Sequence, residues 1–173
     1  FRLFAYALPV IPVNFLAGPL TILQGIYAKY FGLSLASIAS VLLIARLFDA
    51  ISDPMIGFLS DRFYARSGSR KQFVVCGGVL LILACYFLYV PPVDVSSVYF
   101  LGWFLAFYFA FTMFEIPHLA WASDLVSDSQ GKNTIYGWRA VCLILGSLTF
   151  FAVPLLPIFE TNEFTPETLK WSV

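Results

Sequence analysis

Charged residues are scarce in this sequence. Only 12% of its 173 residues are Asp, Glu, Lys or Arg, against about 25% in a typical soluble domain. Hydrophobic residues make up 60% of the chain, a composition typical of membrane proteins. Ten acidic and ten basic residues balance, so no excess of positive charge indicates a nucleic-acid partner. The lipid bilayer is the partner that this composition predicts.

Cysteine and histidine are also few. The three cysteines, Cys76, Cys85 and Cys142, lie in apolar runs, and an odd number excludes a self-contained disulfide framework. A single histidine, His118, argues against a hydrolytic triad, and a packed or interfacial histidine is the simpler interpretation. The sequence contains no nucleophile elbow, phosphate-binding loop or Cys/His metal spacing. We therefore expect no enzyme activity and no cofactor.

Long apolar segments dominate the chain instead. A helix needs about 20 mainly apolar residues to cross a bilayer, and the sequence predicts five such spans, over residues 3–29, 36–60, 73–91, 96–121 and 135–158. They predict an all-α polytopic membrane bundle over residues 1–173. A further apolar run begins near Lys170, and we expect it to open a sixth span of a longer protein.

The first predicted span contains three prolines, Pro9, Pro12 and Pro19. Each removes a backbone donor and tends to kink or loosen a helix. A pathway that opens and closes would use such kinks, but proline is also simply more frequent in membrane helices than in soluble ones.

Basic residues in the short connections predict the orientation in the membrane, because cytoplasmic loops are enriched in Lys and Arg. Most of them fall on one side: Arg2, Arg62, Arg66, Arg70, Lys71 and Lys132. Lys29 and Lys170 fall on the other side. We expect a cytoplasmic amino terminus and a location in the inner (cytoplasmic) membrane.

The second predicted span carries three ionisable residues, Arg46, Asp49 and Asp53, within a very apolar stretch. At spacings of three and four residues they share one helix face. Three uncompensated charges near the bilayer centre would cost roughly 8–10 kcal/mol. Their formal charges sum to minus one, which a monovalent cation, Na⁺ or H⁺, would neutralise. The alternative is an Arg–Asp pair that only locks helices together.

The end of the same span reads Gly57-x-x-x-Asp61-Arg62, followed by Arg66 and Arg70. This pattern resembles the loop between the second and third helices of the major facilitator superfamily. We expect Gly57 to permit close helix approach and Asp61 to bridge, with the arginines, to a neighbouring helix end as a gating latch at the cytoplasmic face. The alternative is a basic loop that only sets topology.

Together, the acidic pair and this loop resemble the glycoside-pentoside-hexuronide:cation symporter family. The resemblance implies the amino-terminal half of a transporter of two six-helix halves, with the carboxyl-terminal half as its partner. It also implies that Asp49 and Asp53 hold the coupling cation and that Arg46 supports the site.

The fourth predicted span adds a polar stripe of Tyr108, Thr112 and Glu115, spaced four and three residues apart. The stripe should face the bundle interior. The resemblance implies that Thr112 contributes to the cation site and that Glu115, immediately before Ile-Pro, binds sugar hydroxyls. It also places Arg139 of the fifth span in the sugar pocket, although snorkelling to the membrane interface would explain an arginine there equally.

One position departs from the family pattern. An acidic sugar-binding residue of the first helix would fall near Val13 or Asn14, and neither is acidic. Asn14 can still bind a hydroxylated substrate, because its amide both donates and accepts. Trp121 and Trp138 are further candidates for substrate contact, although most aromatic residues of such a chain face lipid or the interface.

These features predict a cation-coupled symporter of a small molecule, most simply a sugar or glycoside. Two alternatives stay open. The same fold carries lysolipids in related transporters, and a receptor or scaffold would use the buried charges for structure alone.

Overall fold

The computed structural model describes residues 2–159 and 163–173. Every regular element in this part of the chain is a helix. The α-helices are α1 (Arg2–Ala7), α2 (Val10–Ala17), α3 (Leu20–Phe31), α4 (Leu35–Ser67), α5 (Lys71–Tyr89), α6 (Ser97–Leu125), α7 (Ser129–Phe151) and α8 (Pro166–Lys170), and a 3₁₀ turn follows α7 at Val153–Leu155.

Five helical segments are long and apolar enough to cross a membrane, as predicted. They are Leu3–Phe31, Leu35–Ser67, Lys71–Tyr89, Ser97–Leu125 and Ser129–Phe151. The chain is therefore a multi-pass membrane protein with an all-α fold.

Two of the three prolines of the first span interrupt it, in line with the sequence, and Pro12 lies within α2. Turns at Pro9 and Pro19 divide this span into α1, α2 and α3. Pro54 and Pro117 instead lie inside α4 and α6, which continue past them. A long helix tolerates the loss of one backbone hydrogen bond when the turns on both sides are packed.

Two predicted connections are wrong in extent, because the helices are longer than the apolar runs. The connection between the predicted spans 36–60 and 73–91 is helical as far as Ser67, where Gly68 ends α4 with a φ of 69°. A helix of 33 residues is about 50 Å long and extends beyond a hydrocarbon core of about 30 Å. Its polar last turns therefore stay helical outside the apolar layer.

The connection between the predicted spans 96–121 and 135–158 is shorter than predicted for the same reason. Helix α6 reaches Leu125, and α7 begins at Ser129, where the Asp128 side chain accepts a 2.8 Å hydrogen bond from the Gly131 amide. At the other end α7 stops at Phe151 rather than near residue 158.

The described chain divides into two compact units. The first comprises residues 1–26 and 122–173. Within it, α1 and α2 pack on α7. A side chain at Gly146 of α7 would collide with the Ile11 carbonyl of α2, so the two backbones approach closely there. Phe150 contributes to the core of this unit through ring contacts with Phe15 and Phe164.

The second unit comprises residues 27–121. Its core includes Tyr27, whose ring lies 4.3 Å from that of Phe100 and whose hydroxyl donates a 2.8 Å hydrogen bond to the Leu88 carbonyl. Tyr99 likewise donates to the Phe87 carbonyl at 2.8 Å. Because the last carbonyls of a helix lack amide partners within it, these two hydroxyls complete the end of α5.

Candidate functional site

Three predicted cation ligands lie near the middle of long helices in the second unit. Asp49 and Asp53 flank Ile51, the central residue of α4, and Thr112 follows Phe111, the central residue of α6. The helix centres place these side chains at depth in a bilayer that the two helices span. A carboxylate at that depth requires compensation.

Asp53 and Thr112 connect α4 to α6. The Thr112 hydroxyl donates a 2.8 Å hydrogen bond to Asp53 Oδ1. Thr112 is 4% exposed, so its hydroxyl is held at the carboxylate by the surrounding packing. The two residues are 59 positions apart in the sequence, and the structure brings them together.

Asp49 is compensated only in part. Its Oδ2 lies 3.8 Å from Nη1 of Arg46, beyond normal hydrogen-bond length. Its Oδ1 is buried and has no hydrogen-bond partner among the described residues. Arg46 is largely exposed, at 72% of its side chain, and its guanidinium lies 5.7 Å from the centre of the Tyr108 ring. The Arg–Asp pair therefore leaves one acidic oxygen unsatisfied.

These residues line a partly enclosed pocket of about 180 Å³. Its walls combine the ionisable group with the polar stripe of α6 and two apolar side chains: Arg46, Asp49, Asp53, Tyr108, Phe111, Thr112, Glu115 and Ile116. The stripe thus faces α4, as its spacing predicts. The sequence predicts Tyr108 on this stripe but not in the cation site. Its spacing of four residues from Thr112 is the pattern that indicates a place on the same wall of the pocket.

The donor set of the pocket suits a small hard cation. Carboxylate and hydroxyl oxygens are the ligands such ions prefer. Within the part of the chain that the structure describes, no three His, Cys, Asp or Glu side chains are close enough together to hold a metal ion by themselves. Asp49 and Asp53 together with Arg46 carry a net charge of minus one, which a monovalent cation balances.

The remaining predicted substrate residues are distributed over both units. Asn14 of α2 donates a 3.0 Å hydrogen bond to the Val10 carbonyl of its own helix. Arg139 of α7 is 6% exposed, which does not fit an arginine that snorkels into solvent. Trp138 is 42% exposed and meets Phe4 edge to face at 5.1 Å. These three belong to the first unit, and their roles stay predictions.

Trp121, the last residue of the second unit, does not line the pocket. It lies edge-on to His118 at 6.3 Å, and its ring centre is 5.9 Å from the Lys71 ammonium. His118 is fully buried and stacks on Phe114, so it is packed as the sequence suggested. The substrate role of Trp121 stays a prediction.

Arg70 provides the bridge between α4 and the start of α5. Its Nη1 donates to Asp61 Oδ1 at 2.6 Å and to Ser60 Oγ at 3.2 Å. Its guanidinium also lies 4.5 Å from the centre of the Tyr64 ring. Arg70 is only 8% exposed although it lies at a helix end, so its side chain is buried in these contacts.

The other members of the predicted latch behave differently. Arg62 and Arg66 are exposed and line a surface groove with Leu59 and Phe63. The packing at Gly57 does not require a glycine, although the sequence predicts a close helix approach there. A side-chain carbon built at this position would meet Ile116 at an ordinary 3.8 Å. A gating role for these residues stays a prediction.

Comparison with known proteins agrees with this fold. The family described as "MFS/sugar transport protein" matches residues 5–170. Among individual relatives, YagG of Escherichia coli K12, named as a candidate glycoside/cation symporter, is 27% identical over 79% of the chain and 31% of its own length. The inner membrane symporter YicJ of the same organism is 28% identical over 75% of the chain and 29% of its own length.

A third relative is named for a different substrate. Sodium-dependent lysophosphatidylcholine symporter 1-B of Danio rerio is 32% identical over 65% of the chain and 22% of its own length. The chain spans about a third of the length of the bacterial relatives. The family and these relatives are named as transporters, not enzymes. With 166 consecutive positions inside the family match, the chain belongs to the MFS/sugar transport protein family of the major facilitator superfamily.

Proposed function

We propose that the chain forms the cation-binding half of a symporter that moves a sugar or glycoside across the cytoplasmic membrane with Na⁺. The observation that carries this proposal is the buried Oδ1 of Asp49, which has no hydrogen-bond partner among the described residues. It lies in a pocket that also holds Asp53 and Thr112. An unpaired acidic oxygen at the middle of a membrane helix is costly unless a ligand compensates it.

Na⁺ is the cation that the donor set favours over H⁺. A proton site needs a carboxylate alone, whereas a hydroxyl oxygen adds a lone pair that can coordinate a metal ion. Thr112 supplies such an oxygen while it donates its own proton to Asp53, because a hydroxyl keeps two lone pairs for acceptance. The names of the lysophosphatidylcholine relatives, which are sodium-dependent, support the same choice.

The substrate would bind next to the ion rather than inside the same pocket. A volume of about 180 Å³ is below the roughly 300–1,000 Å³ of sites that enclose a small-molecule ligand. The pocket can hold an ion, its remaining water and one edge of a larger molecule. Glu115 lines the pocket, and its carboxylate can accept hydrogen bonds from several sugar hydroxyls. The family resemblance predicts Arg139 and Asn14 as further substrate residues, and a carboxyl-terminal half would complete the transporter.

Coupling follows from charge. With the ion absent, the carboxylates of Asp49 and Asp53 repel each other, and Arg46 offsets only one of them. Bound Na⁺ balances the net negative charge of Arg46, Asp49 and Asp53 and favours the conformation that accepts substrate, because a ligand shifts an equilibrium only through its differential affinity for the two states. One charge crossing 100 mV supplies about 2.3 kcal/mol, enough for roughly 50-fold accumulation of a neutral sugar.

The test is uptake by the complete transporter in proteoliposomes with imposed Na⁺ or H⁺ gradients. We expect the wild type to accumulate a labelled glycoside with an inward Na⁺ gradient. Asp53→Asn should abolish accumulation but retain exchange of substrate, since it removes the ion and not the substrate pocket. Accumulation by Asp53→Asn equal to that of the wild type would contradict the coupling proposal, and accumulation driven only by a pH gradient would replace Na⁺ with H⁺.

A lysolipid is the second candidate substrate, favoured by the Danio rerio relative. Phe111 and Ile116 give the pocket an apolar wall, which an acyl chain would use and a sugar would not. Uptake of labelled lysophosphatidylcholine in the same vesicles separates the two. Na⁺-dependent uptake of the lysolipid without uptake of any glycoside would identify a lipid carrier.

A further inference from the structure

Gly77 lies where α5 closely approaches the helix that carries Thr112 and Glu115. A side-chain carbon at Gly77 would lie 2.5 Å from the Phe114 nitrogen, 2.8 Å from the Met113 carbonyl carbon and 3.0 Å from the Phe114 Cα. All three atoms are backbone atoms of α6. No side-chain rotation relieves such a contact, so only glycine allows α6 to occupy this position.

Helix α6 is loosened at the same turn by Pro117. Proline has no N–H, so the Met113 carbonyl lacks the amide donor that a regular helix would provide four residues later. The path of α6 at residues 113–114 therefore depends on the surface beside it as well as on its own hydrogen bonds. That surface is the backbone of α5 at Gly77.

The contact is adjacent to the candidate ligands. Phe114 follows Thr112 by two positions and precedes Glu115 by one. The Thr112 hydroxyl reaches Asp53 at 2.8 Å, a separation at which a displacement of 1 Å removes the hydrogen bond. From this geometry we infer that Gly77 is a positioning residue: it sets the distance of α6 from α5 so that Thr112 reaches the cation site on α4.

Other glycines show that this constraint is local. Nothing lies within 4 Å of a side-chain carbon built at Gly78, the next residue of α5. On α4, the corresponding carbon at Gly57 would make an ordinary contact with Ile116. Gly78→Ala is therefore a matched control that adds the same methyl to the same helix, one position away.

The inference rests on the proposed Na⁺ site, and its test is the Na⁺ concentration that gives half-maximal uptake by the complete transporter. We expect Gly77→Ala to raise this concentration at least about ten-fold, the effect of weakening one charge-assisted hydrogen bond. Gly78→Ala should leave it unchanged. In a Thr112→Val background, Gly77→Ala should cause no further rise, because the contact acts through the hydroxyl that this background lacks.

A merely structural role would give a different pattern. Leu81→Ala removes a buried side chain of the same helix and should lower thermal stability without moving the Na⁺ midpoint. If Gly77→Ala behaves like Leu81→Ala, the inference is overturned. The same holds if Gly77→Ala raises the midpoint equally in the Thr112→Val background.

A second variant keeps the test decisive if Gly77→Ala does not fold. Pro117→Ala adds no atom at the contact and returns an amide donor to the Met113 carbonyl, which changes the path of α6 at residues 113–114. We expect it to raise the Na⁺ midpoint as well, and an unchanged midpoint would overturn the inference. If uptake by the wild type does not depend on Na⁺, the proposed function itself is overturned. If wild-type uptake depends on Na⁺ but Gly77→Ala has the wild-type Na⁺ midpoint, only the role of Gly77 is overturned.

Discussion

The hydroxyl of Thr112 on α6 and the carboxylate of Asp53 on α4 form a 2.8 Å hydrogen bond near the centres of their helices. Asp49, one turn before Asp53, presents a buried oxygen that has no such donor among the described residues. One carboxylate is thus oriented by a neighbouring helix and the other is left for a ligand. This asymmetry is the basis of the cation site proposed above.

Loss of the Thr112 hydroxyl should weaken cation binding and leave the fold intact. Valine has nearly the same shape as threonine but neither donates to Asp53 nor coordinates an ion. A hydrogen bond to a charged group contributes about 1.5–3 kcal/mol, so Thr112→Val should raise the Na⁺ midpoint of uptake roughly 10- to 100-fold. Thr112→Ser retains the hydroxyl and should stay near the wild type. Equal midpoints for the valine and serine variants would contradict a ligand role for this hydroxyl.

The hydroxyl of Tyr27 should stabilise the second unit without affecting transport chemistry. It is buried and donates to the Leu88 carbonyl at 2.8 Å, so Tyr27→Phe leaves that carbonyl without its side-chain donor at a cost of about 1–3 kcal/mol. We expect a lower midpoint of thermal unfolding in detergent. The control is Tyr30→Phe, at a tyrosine that is 42% exposed and should melt like the wild type. Identical melting of the two variants would show that the buried bond contributes nothing.

Among the arginines at the end of α4 and the start of α5, only Arg70 should matter for stability. Its buried guanidinium pairs with Asp61 and lies on the Tyr64 ring, whereas Arg66 is exposed. Arg70→Ala should lower the thermal midpoint and expose the connection at residues 68–70 to proteolysis. Arg66→Ala should change neither. Comparable protection of this connection in both variants would contradict the structural role of Arg70.

The sequence predicted the five spans because each is an apolar run near the length that a bilayer requires. It did not predict where the helices end. Asp61 and Arg66 read as loop residues, yet they belong to α4, since backbone hydrogen bonding continues where the hydrocarbon layer stops. Charge and hydropathy report the layer that a residue occupies, not the conformation of its backbone.

Within the site, periodicity predicted more than composition did. The spacing of Arg46, Asp49 and Asp53, and of Tyr108, Thr112 and Glu115, placed each set on one helix face, and the structure brings both faces to one pocket. The packing of α4 against α6 determines two further features. Thr112 pairs with Asp53, and Asp49 Oδ1 is left without a hydrogen-bond partner among the described residues. The constraint at Gly77 has no sequence signal at all, because Gly78 beside it looks the same in the sequence and lies in open space.

The most direct measurement is the labelling of Asp49 by a hydrophobic carbodiimide at constant pH, quantified by mass spectrometry as Na⁺ is titrated. The exposed Asp61, which is paired with Arg70, is the internal reference. If Na⁺ binds between Asp49 and Asp53, the labelling of Asp49 falls along a saturable curve while that of Asp61 stays constant, and choline in place of Na⁺ gives no protection. Labelling of Asp49 that is the same at every Na⁺ concentration would contradict the proposed site.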